Sequence, residues 1–342
     1  MGSEMCIRDR WESADDGTEQ CPDWTIEPDG TCYRCYVAMY EHHVTADVAY
    51  GIYDYVRITK DLDFLYGRGA EVLTETARFW ASRCEYVTEK DRYEINQVTG
   101  PDEWHEPVNN NLYTNYFARW NLRYVMSLIR TMKEERPDDY EALMKKTGLK
   151  EEELEFWNTV QSKIYLPRKE GTNLLEQFEG YFQLKDVVID QYDENDWPIR
   201  PEALKTCKAR ETQILKQPDV VLLLHLLGEE FEPELMKENY DYYEKRTLHG
   251  SSLSPSIYSV MGLKVGDDSK AYRYLKRAAL IDLLNLQKNT REGIHAANAG
   301  GVWQTIVFGF AGVSIGKDGI LNVKPNMPKE WSSLKFRLHY DN

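Results

Sequence analysis

The chain has 342 residues, 42% of them hydrophobic and 12% aromatic, which is enough for a large core in one domain or two. A net charge of −15, a pI near 5.1 and the lack of a basic stripe argue against nucleic acid and anionic membranes as partners. No apolar run reads as a transmembrane helix or a signal peptide.

Residues 1–10 bear no pattern relation to the rest of the chain and read like translated sequencing adapter, so they are set aside as non-native. Residues 11–40, with Pro22, Pro28 and Gly30, read as loop. Cys32 and Cys35, with His42 and His43 after them, lack the second pair that a zinc site needs, so no metal is expected. The six irregularly spaced cysteines fit reduced thiols in a cytoplasmic protein. Val44, Val48, Ile52 and Val56 recur at helical spacing, which predicts a helix over 43–60, with Thr45 and Asp47 at its start. A connector over 61–66 leads to a second helix over 69–86, and 93–98 suits a short strand.

Residues 100–116 are the densest stretch of chemistry. Gly100 and Pro101 break regular structure ahead of three carboxylates, a histidine, a tryptophan, two tyrosines and four asparagines. Carboxyl groups to protonate a leaving oxygen, aromatic faces to pack on a ring and amides to bind hydroxyls together suit sugar cleavage. Glu103 is the candidate acid, and the neighbouring Trp104 is expected to shield it and keep it protonated. Asp102 and Glu106 compete for that role. His105 reads as a site-lining hydrogen bonder. Asn109 to Asn111 also suit a helix cap, and Tyr113 and Tyr116 also suit a core.

Helices are then expected near 112–131, 138–147 and 151–165, and, after a polar insertion, near 211–227, 232–245, 268–286 and 299–310. Two later stretches also carry candidates. Lys216-Gln217 precedes an apolar run and offers a charged donor beside an amide donor and acceptor. The segment from Thr247 to Pro255 gathers hydroxyls, an imidazole and Gly250, which suits either an anion seat or a serine helix cap. From about residue 311, alternation in 311–315, 319–323 and 334–338 reads as β structure. The pattern predicts a mainly α chain. It forms an α/α toroid of helical hairpins over 11–310, and over 311–342 the opening strands of a β-sandwich domain.

The 100–116 stretch, the Lys-Gln pair and the His249-Gly-Ser-Ser and His295-to-Gly301 segments resemble glycoside hydrolase family 65, the inverting α-glucoside phosphorylases. The resemblance covers nearly everything after about residue 20. It implies an (α/α)6 barrel incomplete at its start, because the family's N-terminal β-domain, its first barrel helices and its glucose-gripping Trp-Asp pair find no match. It implies Glu103 as general acid, and Lys216 and Gln217 as binders of glucose hydroxyls beside Trp104 and His105. Ser251 and Ser252 would face phosphate, with His295, Gly301 and His249 on the same side. It implies an α-glucosyl disaccharide or glucoside and inorganic phosphate as co-substrates, with no metal or organic cofactor. Family members are often homodimers. A hydrolase of the same family and a non-catalytic carbohydrate-binding chain are the alternatives.

Overall fold

The computed structural model describes residues 18, 21, 24–26, 32–34, 36–316 and 319–340. Cys35 of the Cys32–Cys35 pair lies outside these residues, as do the adapter-like residues 1–10. The chain divides into two units. Met1–Gly100, Glu106–Pro167 and His339–Asn342 form the first, and Pro101–His105 and Arg168–Leu338 form the second.

In the first unit, the expected loop over 11–40 gives way to an antiparallel pair, β1 (Trp24–Ile26) and β2 (Cys32–Arg34), and a single turn, α1 (Val37–Tyr40). The expected helix is α2 (Val44–Thr59). The connector is helical after all: α3 (Leu62–Phe64) runs through a π turn at Leu65–Gly69 into α4 (Ala70–Arg83). Asp61 caps α3 by accepting the Phe64 amide, which a reading for apolar spacing passes over. A hairpin of β3 (Glu85–Val87) and β4 (Arg92–Glu94) comes next, so the strand expected over 93–98 starts and ends earlier. Then come α5 (Leu112–Glu135), α6 (Pro137–Thr147) and α7 (Glu151–Lys163).

Helix α5 organises this unit by packing against α2, α4, α6 and α7. Tyr50 and Tyr53 of α2 meet Phe117, Trp120 and Tyr124 of α5, and the Trp120 and Tyr124 rings stack 5.4 Å apart. Phe117 is fully buried, which contributes about 1.5–3 kcal/mol relative to exposure. Asn111 caps α5 by accepting the Thr114 amide, and Asn110 accepts the Ile95 amide. These asparagines therefore hold backbone.

His43 is buried between Glu41 (3.0 Å) and Asp47 (2.7 Å). Burial pulls its pKa down, but the two carboxylates prevail and hold it at about 10, against an ordinary value of 6.5. A raised histidine stabilises fully below its unfolded pKa and loses that contribution as pH rises to the folded value. The stability difference between the wild type and His43→Gln should therefore be largest near pH 6 and shrink steadily towards pH 10. Urea unfolding at several pH values measures it, and a constant difference would contradict this account.

The second unit carries α8 (Val220–Leu226), α9 (Pro233–Glu244), α10 (Ser254–Val265), α11 (Asp268–Leu280) and α12 (Ala296–Gln304), the last running into a π turn at Thr305–Phe310. The sequence pattern does not predict α10. This helix packs against α8, α9, α11, α12 and the π turn, so it is buried on all sides and shows no apolar stripe. The helix expected over 211–227 is helical only from Val220. Pro218 holds Gln217 away from helical geometry, and Thr212 and Leu215 instead make parallel bridges with Lys185 and Thr247. The helix expected over 268–286 ends at Leu280.

An antiparallel pair, β5 (Val313–Ile315) and β6 (Leu321–Val323), comes after the last helix, in line with the expected turn to β structure. The strand expected over 334–338 is not one. Leu334 and Leu338 instead pack irregularly against Val307, Ala311 and Val313. The described residues are mainly α, as the sequence predicts. No helix among them is long and apolar enough to cross a membrane.

Candidate active site

Pro101–His105 belongs to the second unit, together with every later candidate. Asp102 anchors this loop. Its Oδ2 meets His105 Nδ1 at 2.6 Å and accepts from Gln177 at 3.2 Å, while its Oδ1 accepts the Lys216 amide at 2.8 Å. Asp102 is 1% exposed and fully committed, so it is not free to act on a substrate. Glu106 belongs to the first unit, where Thr99 donates to it at 3.5 Å.

Glu103 is the loop carboxylate that looks outward. Lys216 Nζ lies 2.8 Å from its Oε2, and both side chains are about a quarter exposed. The expected shielding of Glu103 by Trp104 is not what forms. Trp104 turns its ring into a cluster of Val187, Ile189, Leu204 and Ile214, leaving Glu103 to the lysine. The ring also lies beside Gly250, where an added Cβ would come within 3.9 Å of it.

His105 is placed otherwise than a substrate binder would be. It is 2% exposed, its Nδ1 is held by Asp102, and its Nε2 lies 2.8 Å from the Thr212 carbonyl. Both partners accept, so both nitrogens donate and the ring is charged. Burial works against that charge, but the Asp102 hydrogen bond and charge raise the pKa above its ordinary 6.5. His105 therefore positions the loop.

The non-helical segment over 212–217, pinned by isolated bridges at Thr212 and Leu215, brings the Lys-Gln pair into place. Leu215 exchanges hydrogen bonds with Arg246 and Leu248, and the Gly250 amide donates to the Lys216 carbonyl at 2.8 Å. Gln217 donates its amide nitrogen to the Pro101 carbonyl. Its Oε1 is buried with no partner among the described residues. A buried acceptor left open costs free energy unless a ligand donor meets it, as a sugar hydroxyl would.

Beyond Gly250, Ser251 accepts the Leu253 amide at 3.3 Å. Ser252 makes no hydrogen bond through its hydroxyl among the described residues, and α10 begins at Ser254. The start of α10 offers an anion little backbone, because the Leu253 and Ser254 amides donate to Ser251 and Pro255 has no N–H, so the free Ser252 hydroxyl is the donor that remains there. His249 is not an anion partner. Burial pushes its pKa down to about 3, aided by Arg277 and Lys270, so it is neutral. Its nitrogens meet Ser254 (2.7 Å) and Tyr274 (3.1 Å), so it braces the serine turn.

His295 sits at the start of α12, held by Asp282 through Nδ1 (2.5 Å) and through its own amide (2.9 Å). The His295 hydrogen bonds in turn lower the Asp282 pKa below its ordinary value. Gly301 faces α10, where an added Cβ would lie 2.5 Å from Ser256 Oγ and 2.9 Å from its Cβ. Neither His295 nor Gly301 hydrogen-bonds Glu103, Lys216 or Gln217 among the described residues. Gly301→Ala should lower unfolding free energy by about 1–3 kcal/mol through overpacking. An unchanged urea midpoint would show that the two helices part without cost.

The structure thus brings Glu103, Lys216, Gln217, Trp104 and the Gly250 backbone together, with Ser251 and Ser252 adjoining. Two positions central to that geometry, Asp102 as anchor and Gln177 as its donor, are not recognisable as such in the sequence. The Asp-x-x-His spacing of Asp102 and His105 is the only local signal.

A family model described as "Glycosyl hydrolase family 65 central catalytic domain" matches residues 10–304. A kojibiose phosphorylase of Caldanaerobacter subterraneus subsp. tengcongensis is 52% identical over 330 residues, which is 96% of this chain and 43% of the relative. An α,α-trehalose phosphorylase of Thermoanaerobacter brockii is 39% identical, over 88% of this chain and 39% of the relative. A solved protein from the human microbiome, with only a provisional assignment as a kojibiose phosphorylase, is 33% identical with a TM-score of 0.76, over 86% of this chain and 40% of that one. The chain therefore spans less than half the length of the curated relatives it matches.

Proposed function

The chain belongs to glycosyl hydrolase family 65, and from that membership we propose that it carries the general acid and much of the sugar and phosphate seats for inverting phosphorolysis of an α-glucoside. The observation that carries this reading is the division of labour between neighbouring carboxylates. Asp102 is consumed by His105, Gln177 and Lys216, whereas Glu103 is partly exposed and meets only the Lys216 ammonium.

In this reaction Glu103 gives its proton to the glycosidic oxygen as the bond to the anomeric carbon breaks. A phosphate oxygen bonds to that carbon from the opposite face, giving β-glucose 1-phosphate and the released acceptor. Glu103 is left ionised and regains a proton from solvent. Inverting hydrolases need a second carboxylate to activate water. Phosphate is already an anionic nucleophile, so a single acid suffices and no metal or organic cofactor enters.

Lys216 releases Glu103 as the sugar arrives and donates to a glucose hydroxyl, while Gln217 Oε1 accepts from another. Phosphate sits against the Ser252 and Ser251 hydroxyls, which donate to it. His295 contributes by tying the start of α12 to Asp282, and Gly301 by letting α12 approach α10 closely. Kojibiose is the first disaccharide to try, since the kojibiose phosphorylase above shares more of this sequence than the trehalose phosphorylase does.

The test uses this chain completed to the length of its relatives, supplied with kojibiose, trehalose, nigerose and maltose, with and without phosphate. Product that requires phosphate supports the reading. Glucose released equally without phosphate overturns it in favour of hydrolysis.

A further inference from the structure

A cavity of about 760 Å³ lies within the second unit, between the 192–197 loop and α11, and contains none of the candidate site residues. That volume is ordinary for a small-molecule site. Tyr192, Trp197 and Tyr274 give it aromatic walls, and the end of α11 and the turn after it add Leu280, Leu284 and Leu286.

Its charge is unusual for so acidic a chain, with four cations facing three carboxylates. Two of the cations are spent. Arg273 pairs with Asp196 at 2.5 Å, and Lys270 pairs with Glu244 at 2.7 Å. Lys276 and Arg277 make no hydrogen bond or ion pair among the described residues. Arg277 Nε is buried with no partner. Its guanidinium lies 4.2 Å from the centre of the Trp197 ring, while Lys276 Nζ lies 5.0 Å from that of Tyr272. Stacking uses the face of the guanidinium and leaves the donors in its plane unspent, in the fork that suits a phosphate. Burial lowers the Arg277 pKa, with Asp193 opposing, yet it stays charged. The Asp193 carboxylate is itself occupied by the Asn195 and Trp197 amides. Glu194 makes no ion pair among the described residues and can accept from hydroxyls.

We infer that this cavity is a second binding site, for a phosphorylated monosaccharide. Arg277 and Lys276 hold the phosphate, and Trp197, Tyr192 and Glu194 face the sugar. The Trp197 ring lies 5.2 Å from that of His249, which braces the serine turn, so an occupant would bear on the reaction site from behind. The site stands on its own residues and does not depend on the proposed phosphorolysis.

Calorimetric titration of the full chain with glucose 6-phosphate, inorganic phosphate and glucose tests it. Glucose 6-phosphate should bind more tightly than either of the others. Arg277→Gln and Lys276→Gln should each weaken it at least about tenfold, and Trp197→Leu should weaken glucose 6-phosphate but not phosphate. Lys276 is exposed, so its variant keeps the test valid should Arg277→Gln unfold. Ser252→Ala should leave the binding of glucose 6-phosphate unchanged. No binding to the folded chain would overturn the inference. So would binding lost in Ser252→Ala and retained in Arg277→Gln, which would place the ligand at the reaction site. Equal affinity for phosphate and glucose 6-phosphate would refute the sugar half.

Discussion

Glu103→Gln is expected to lower turnover of a disaccharide by about 10²–10⁴-fold, the usual contribution of a positioned general acid. Glutamine keeps the shape of the side chain and still offers Lys216 an acceptor, so the loop should hold. What disappears is the proton for the leaving oxygen. The loss should therefore fall on kcat more than on KM, because binding rests on Lys216, Gln217 and the serine turn. α-Glucosyl fluoride sharpens the test, since fluoride departs without protonation. The variant should lose little activity on that substrate. Equal losses on fluoride and disaccharide would mean that Glu103 acts on binding or position, and the assignment of the acid would fail.

Asp102→Ala should lower unfolding free energy by about 3–5 kcal/mol, the range for stranding one member of a buried ion pair. His105 would lose the 2.6 Å partner that sustains its charge in a buried site, and the Lys216 amide would lose its acceptor. Asp102→Asn should cost less, because one amide oxygen can still take the Lys216 amide. The pH dependence has a definite sign. His105 has a folded pKa above 6.5, so its contribution is complete below 6.5 and is lost as pH rises through the folded value. That pH-dependent component should be present in the wild type and absent in Asp102→Ala. A loss below about 1 kcal/mol, with the pH dependence intact, would remove Asp102 from the centre of the loop.

The 101–105 loop stands out in the sequence because it concentrates groups that a core cannot absorb. Glu103 between a turn and a tryptophan reads as chemistry from the chain alone. The roles of its neighbours are not legible, because they depend on who meets whom across the fold. His105 and His249 look alike in sequence, yet one is held charged by Asp102 and the other is kept neutral by burial beside Arg277 and Lys270. Helices with one apolar face, such as α2 and α5, show themselves by their period. Helix α10 does not, because its neighbours cover it all round, and the bridged segment over 212–217 does not, because its partners, Lys185 and Thr247, lie about thirty residues away on either side.

The most direct measurement is proton NMR of the first sugar phosphate formed by the completed chain from kojibiose and inorganic phosphate. The anomeric signal should be that of β-glucose 1-phosphate, appearing only with phosphate and vanishing in Glu103→Gln. The α-anomer as first product, or free glucose released at the same rate without phosphate, would contradict inverting phosphorolysis with Glu103 as its acid.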